Sequence, residues 1–439
     1  MTGGTWTTHN KVRPGVYVNM SNAPKPLSAL GERGMVTMPL VLSWGEPKTM
    51  ITIEAGEDTM DKLGYSIAAP QMLLVREALK RARTLLLYRV NEGVKAAVTG
   101  GELTATAKYG GERGNAITIV VEVNVDDPAK FDVRTMVEGA EKDVQTVSDI
   151  AGLSANNWVT WNASGQLAAN AGMPLAGGAN GDAQAADYND YLSAAETEEF
   201  QTIALVSEDS ALKSVFASFV EGLRDGEGRK VQVAIANYSE ARQEGVISVN
   251  NGVKLADGTV LTAAQAAVWV AGATAAAGVN ESLTYTLYDG AVDAVPRLTH
   301  TETVTALRNG EFLFTQDRGS VRVEQDINTF TSFTPEKGAH FSKNRVVRVL
   351  DAISNDCARV FRSFYIGKVS NHADGRNLLK GECINYLTNL QNLGAIGSFD
   401  SQNDVKISPI AGQPDGVYIE LQVQPIDAVE KIYIAVEVM

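Results

Sequence analysis

Residues 16–20 and 432–438 limit most tightly what this chain can fold into, because each is a short alternating strand cut off from its neighbours. In Val16-Tyr17-Val18-Asn19-Met20, the side chains of Val16, Val18 and Met20 fall on one face and those of Tyr17 and Asn19 on the other. Pro14-Gly15 before it and Pro24-Lys25-Pro26 after it separate this strand from the rest of the sequence. At the other end Ile432, Ile434, Val436 and Val438 share a face. A lone strand has no stability of its own, so each must join a sheet somewhere. Exposed apolar edges recruit other chains, and most proteins avoid them. Two readings stay open from the pattern alone. Each strand pairs inside its own domain, or each adds to the sheet of another chain.

A length of 439 residues implies roughly two to four domains. With 44% hydrophobic and 21% charged residues the composition is that of a globular protein. A net charge of −14 argues against nucleic acid as a partner, since a phosphate-tracking surface carries a basic excess. Cys357 and Cys383 cannot build a disulfide framework, and both fall at apolar helical positions, as buried reduced thiols would. The opening MTGGTWTTHNKVRPG lacks the apolar core of a secretory signal. Residues 261–279 form a long uncharged run, but it is alanine-rich and reads as a buried helix, not a membrane span. The expectation is a soluble protein made in the cytosol.

Periodicity divides the chain. Residues 70–83 read as a helix with a basic stripe of Arg76, Lys80 and Arg83, taken as a solvated face, followed by a buried strand over 85–90. Residues 91–181 turn to short strands and glycine-rich turns, with Ala116-Ile117-Thr118-Ile119-Val120-Val121-Glu122-Val123 the clearest, and fit a small inserted β-sandwich. From 185 to about 330, strands at 203–206 and 231–236 alternate with helices, which favours a parallel-sheet α/β core. The alanine-rich helix over 263–277 would pack closely through its small side chains. Val346, Val349, Leu350, Ile353, Cys357, Val360, Phe361 and Phe364 then mark an amphipathic helix over 343–364. A second helix carries Leu379, Cys383, Leu387 and Leu390 and stops at Gly394. A strand with Val417, Ile419, Leu421 and Val423 on one face is ended by Pro425.

Catalytic and metal patterns are not found in the sequence. Histidines stand apart at 9, 300, 340 and 372, with no HExxH, CxxC or GxSxG. The glycine-rich segments 110–115 and 222–228 match neither phosphate-loop pattern and read as turns. His372-Ala373-Asp374-Gly375 lacks the oxygen ligands of a calcium loop and reads as a turn with Asp374 near a helix start. On the helix over 343–364, Arg345, Arg348, Arg359 and Arg362 fall within roughly a quarter-turn of one another. Asp351 and Asp356 lie close to that stripe and partly neutralise it. It is either a solvated face or a docking face for an acidic protein partner.

Several segments together resemble the contractile phage tail sheath proteins, particularly those of phages and defective prophages of Gram-positive bacteria. They are Asn10-Lys11-Val12-Arg13-Pro14-Gly15-Val16-Tyr17-Val18, the run from Ala105 through Lys108-Tyr109-Gly110-Gly111-Glu112-Arg113-Gly114-Asn115, and Ile366-Gly367-Lys368-Val369-Ser370-Asn371. Gly375-Arg376-Asn377-Leu378-Leu379 and Gln424-Pro425-Ile426-Asp427-Ala428-Val429-Glu430-Lys431-Ile432-Tyr433 complete the series, which spans nearly the whole chain in family order.

The resemblance implies a multidomain α/β and α+β protein without enzymatic activity or cofactor. Its parts would be an N-terminal arm (1–25), the start of the core (26–90), an inserted β-sandwich (91–181), a subtilisin-like α/β core without a triad (182–332), an α+β C-terminal domain (333–427) and a C-terminal arm strand (428–439). It implies six-fold rings stacked around an inner tail tube, in a virion tail assembled in the host bacterial cytoplasm. Partners would be further copies of the chain, the tube protein, and baseplate and tail terminator proteins, with no nucleic acid and no membrane insertion. Val16, Tyr17, Val18, Met20, Ile432, Ile434, Val436 and Val438 would form intersubunit strands. Pro14, Gly15, Pro24 and Pro26 would limit bending of the first arm, and Pro425 to Asp427 would hinge the last. Arg345, Arg348, Arg359 and Arg362 would face the tube. Contraction would drive the tube through the host envelope for ejection of the viral genome. The alternatives are a hydrolase built on the α/β core, or a static viral shell or fibre subunit.

Overall fold

The computed structural model describes residues 30–438. They form two compact units: one holds 32–355 with 425–438, and the other holds 356–424 with Leu30 and Gly31.

The larger unit is built on a seven-stranded sheet ordered Glu311–Phe312, Val246–Val249, Gln232–Ala236, Thr202–Ala204, Met35–Leu40, Thr84–Arg89, Met50–Glu54. Every neighbouring pair is parallel except the last, where Met50–Glu54 runs antiparallel to Thr84–Arg89. All residues of Thr84–Arg89 and Gln232–Ala236 are buried, which is why both read as continuous runs. Alternate residues go to opposite cores. Val36, Met38, Leu85, Leu87 and Ala234 join the cluster under the alanine-rich helix. Tyr88, Val90, Ile203, Val233 and Ile235 instead join Tyr191, Leu192, Phe216 and Val220 from helices Ala185–Glu196 and Ser210–Glu221.

Helix Ala263–Ala276 starts at a reciprocal cap between Thr262 and Gln265 and is buried over nearly its whole length. Small side chains let its backbone lie against helix Leu73–Leu79. A Cβ at Gly272 would come within 2.4 Å of the Ala78 carbonyl oxygen. The basic stripe beside it is not a free solvated face, because its cations cap nearby backbone. Arg76 Nη1 donates to the Ile67 and Ala69 carbonyls at 2.8 Å each, and Lys80 Nζ donates to the Asp289 carbonyl at 2.8 Å. Arg83 lies beyond this helix, which ends at Leu79, and pairs with Glu32 at 2.8 Å.

Residues 97–174 hold two antiparallel sheets. One is ordered Asn170–Pro174, Ile117–Val123, Phe131–Val137, Ala140–Val147, and the other Ala97–Gly100, Leu103–Ala107, Val159–Trp161. Leu103, Ala105, Ala107, Ile117, Ile119, Val121, Val133 and Val137 share one core, the period-2 signature of a sandwich. Arg113 roots the glycine-rich turn before it. Buried, it donates from Nε to the Gly64 carbonyl at 2.7 Å, pairs with Glu138 at 2.6 Å and covers the Tyr65 ring. The second glycine-rich segment is a helical turn, Gly222–Gly226, that continues Ser210–Glu221.

In the smaller unit the end of helix Asn344–Phe364 accompanies helix Ala373–Asn392 and the hairpin Val405–Ile410/Gln413–Leu421. Gly394 at φ 68° takes the left-handed position that ends the second helix. Tyr386 donates to Asp356 at 2.8 Å, as does the Gly31 amide at 2.9 Å. Cys357 and Cys383 are free thiols, and burial pushes their pKa values up to about 11 and about 12, so neither is a ready nucleophile.

Gly272→Ala tests the close packing of the alanine-rich helix. Helix propensity alone would make alanine stabilising by about 1 kcal/mol. The Ala78 carbonyl is expected to reverse the sign, with a loss of about 1–3 kcal/mol in chemical denaturation. A stabilised variant would contradict the packing described.

Candidate functional site

The described histidines do not converge on a reaction centre. His300 opens a helix, His340 lies in a short helical turn, and His372 caps Ala373–Asn392 by accepting the Gly375 amide on Nδ1 at 3.1 Å. Asp374 lies in the first turn of that helix, near its start as expected. Among the described residues no group of three His, Cys, Asp or Glu could hold a metal ion. A cleft of about 410 Å³ is lined by Asp58, Asp61, Asp143, Lys142 and Trp158 and has no nucleophile beside a base. No helix among the described residues is long and apolar enough to cross a membrane.

What stands out instead is a strand sequence that adopts no strand within its own subunit. Residues 431–438 take no regular secondary structure. Ile432, Ile434, Val436 and Val438 are 77%, 80%, 81% and 95% exposed. Exposure of that kind on consecutive alternate residues marks a surface meant to be covered. Immediately before it, Glu430 is held from three directions. Thr284 Oγ1 donates to Oε1 at 2.8 Å, Gln325 Nε2 donates to Oε2 at 2.6 Å, and Lys343 Nζ pairs with Oε2. Burial pushes the Glu430 pKa up, but the bonds from Lys343, Gln325 and Thr284 outweigh it and hold the carboxyl below its ordinary value. Pro425 is half-buried, and exposed Asp427 accepts the Ala428 amide at 2.7 Å.

The second surface is the hairpin of the smaller unit. Val405 is buried and Tyr418 is 58% exposed. The sheet has two strands among the described residues, and in the second the Pro414 and Gly416 carbonyls accept from Asn371 Nδ2 at 2.9 and 3.1 Å. Pro14, Gly15, Val16, Tyr17, Val18, Met20, Pro24 and Pro26 lie outside the described residues.

Family models match along the chain in sequence order. "Tail sheath protein Gp18 domain III N-terminal region" covers 33–90, and "Phage tail sheath protein beta-sandwich domain" covers 91–182. "Phage tail sheath protein central domain" covers 181–329, and "Phage tail sheath C-terminal domain" covers 336–439. A Bacillus subtilis protein, phage-like element PBSX protein XkdK, is 44% identical over the full length of both chains. The chain belongs to the phage tail sheath protein family.

A solved sheath tail protein from Desulfitobacterium hafniense is 58% identical, with a TM-score of 0.87 over 96% of this chain and 99% of that one. The helical sheath of the anti-feeding prophage in its contracted state shares the fold at a TM-score of 0.57 and 11% identity, over 98% and 99% of the two chains. The sheath chain is thus a structural component of a phage-type tail and not an enzyme.

The four arginines of the long sheath helix do not share one exposed face. Arg348 is 2% exposed, donates from Nη1 to the Glu281 carbonyl at 2.6 Å and pairs with buried Asp326 at 3.5 Å. This corrects its reading as a docking residue, since burial removes it from any partner's reach. Arg345 is half-buried, while Arg359 and Arg362 are exposed. Nor do the aspartates simply screen the stripe. Asp351 is taken by Arg224 through bonds of 2.8 and 2.9 Å, and Asp356 by Tyr386, Gly31 and Arg359. Sequence reasoning also gave Glu430 no role of its own; its only local signal is the Glu430-Lys431 charge pair just before an alternating strand.

Because residues 432–438 are exposed, deleting 432–439 is expected to move the melting midpoint of the unassembled sheath subunit by less than about 2 °C. Calorimetry showing a loss of more than about 5 °C would mean that the segment packs on its own subunit.

Proposed function

We propose that the chain polymerises as stacked six-fold rings around an inner tail tube and contracts to drive that tube through a host envelope. The observation that carries this is the exposed alternating segment 431–438, alongside a two-stranded hairpin on the same chain. Segments 16–20 and 432–438 add as strands to the C-terminal sheets of neighbouring copies, which satisfies their backbone groups and covers Ile432, Ile434, Val436 and Val438. The extended lattice is metastable. On a baseplate trigger, subunits rotate and slide as rigid bodies while the arms keep them connected.

In this reading the chain divides as its sequence suggests, with 91–181 an inserted domain and a subtilisin-like core that keeps a fold without its chemistry. Baseplate and tail terminator proteins bound the polymer, and assembly takes place in the bacterial cytoplasm. Arg345, Arg359 and Arg362 remain as the tube-facing candidates on the long helix, without Arg348.

Negative-stain electron microscopy of the full-length chain, beside versions lacking 1–20 or 428–439, tests the proposal. Expected are tubes from the full-length protein and none from either truncated but folded version. Particles isolated in two lattice lengths would exclude a static shell or fibre subunit. A monodisperse monomer indifferent to truncation, even with its tube protein added, would defeat the sheath mechanism.

A further inference from the structure

We infer that Glu430 is the anchor from which the C-terminal arm swings, so that the free arm begins at Lys431 and Lys343 is the residue that holds its root. This rests on the proposed role of the segment as an arm.

The geometry is that of a socket built for one carboxylate. Both oxygens of Glu430 are bonded, and the three donors, Thr284, Gln325 and Lys343, come from three separate stretches of the larger unit. The side chain of Glu430 is 11% exposed and that of Lys343 19%. Val429 is 84% and Ile432 is 77% exposed, so among the described residues the Glu430 side chain ties down a largely solvated stretch.

The socket itself is continuous with the start of the long helix. Thr284 Oγ1 also accepts the Asp326 amide at 3.0 Å, and Asp326 accepts in turn from Asn344 Nδ2 at 2.9 Å and the Leu283 amide at 3.0 Å. Lys343 immediately precedes that helix, which begins at Asn344.

A chain spans at most about 3.3–3.6 Å per residue. An arm freed at Lys431 therefore reaches about 30 Å to the end of the sequence, and one hinged at Pro425 would reach about 50 Å. The anchor thus sets which neighbouring sheet the arm can meet, and it places the hinge after Glu430 instead of at Pro425–Asp427. Glu430 and Lys343 are positioning residues for strand exchange and take no part in the pairing itself.

Trypsin reads the anchor directly, because cleavage after Lys431 requires the residues on both sides of that bond to enter the protease in extended form. Lys343→Met keeps an apolar stem and leaves the arm's own sequence intact, so only the anchor changes. In the unassembled full-length subunit, release of the peptide 432–439 is expected to accelerate about tenfold or more, given the strength of bonds to a charged group. Lys343→Arg, which keeps the charge and the donors, is expected to restore the native rate. Cleavage after exposed Lys368 serves as the internal clock and should not change. Gln325→Leu removes a second donor to the same oxygen and should also speed release, which decides the matter if Lys343→Met misfolds. Native release rates in Lys343→Met or Gln325→Leu, or a Lys343→Arg protein as fast as Lys343→Met, would overturn the anchor. Tube formation is scored separately: a native chain that never forms tubes defeats the sheath mechanism and leaves the cleavage comparison intact.

Discussion

Charge that has lost access to water must be matched, and the first turns of the helix Asn344–Phe364 are organised by that rule. Arg224 and Asp351 are 4% and 9% exposed and form a two-pronged pair. Arg348 and Asp326 are 2% and 1% exposed. Just ahead of the helix Lys343 meets Glu430, and Asn355 bonds the Lys230 backbone in both directions at 2.9 and 2.8 Å. Removing one partner of such a pair strands the other and typically costs about 3–5 kcal/mol. Thus the helix that begins in the larger unit has little freedom there, and the root of the C-terminal arm is fixed to the same place.

The rule also explains what the sequence showed and what it hid. Periodicity was a good guide wherever one face of an element meets apolar core. The runs 85–90 and 231–236 are sheet strands buried on both faces, the alanine-rich stretch is a closely packed helix, and Gly394 ends its helix as expected. The same helical wheel failed for Arg348, because it gives an angle and not a depth. A charged residue reads as solvated until its partner is known, and Asp326 lies 22 residues away in the irregular stretch before the helix. Arg113 and Glu430 were hidden for the same reason. Their roles depend on contacts with Glu138 and Lys343 that no local pattern encodes. The two compact units likewise part inside a continuous helix, between Asn355 and Asp356, where apolar spacing carries no signal.

Family membership fixes the kind of protein, and the physical features suggest how it works. Burying Ile432, Ile434, Val436 and Val438 against a neighbour would be worth about 6–12 kcal/mol. Ordering the residues that carry them costs about 8–16 kcal/mol in backbone entropy. Terms so nearly balanced make one arm a weak link, decided by the backbone hydrogen bonds a neighbouring sheet supplies. A lattice of many such links can hold firmly and still slide, as a contracting polymer must. An arm anchored at Glu430 fits that need, since a short tether limits where its strand can bind while leaving subunits free to turn.

The central claim is that the segment absent from its own subunit's sheets pairs with another copy. A photoreactive amino acid at position 434 tests it, in polymers grown from equal parts of ¹⁴N- and ¹⁵N-labelled chains. Mass spectrometry is expected to find crosslinks from 434 to peptides of 405–421, with mixed-isotope pairs as frequent as random mixing allows. Crosslinks confined to chains of a single label would place the segment in its own subunit and contradict the account.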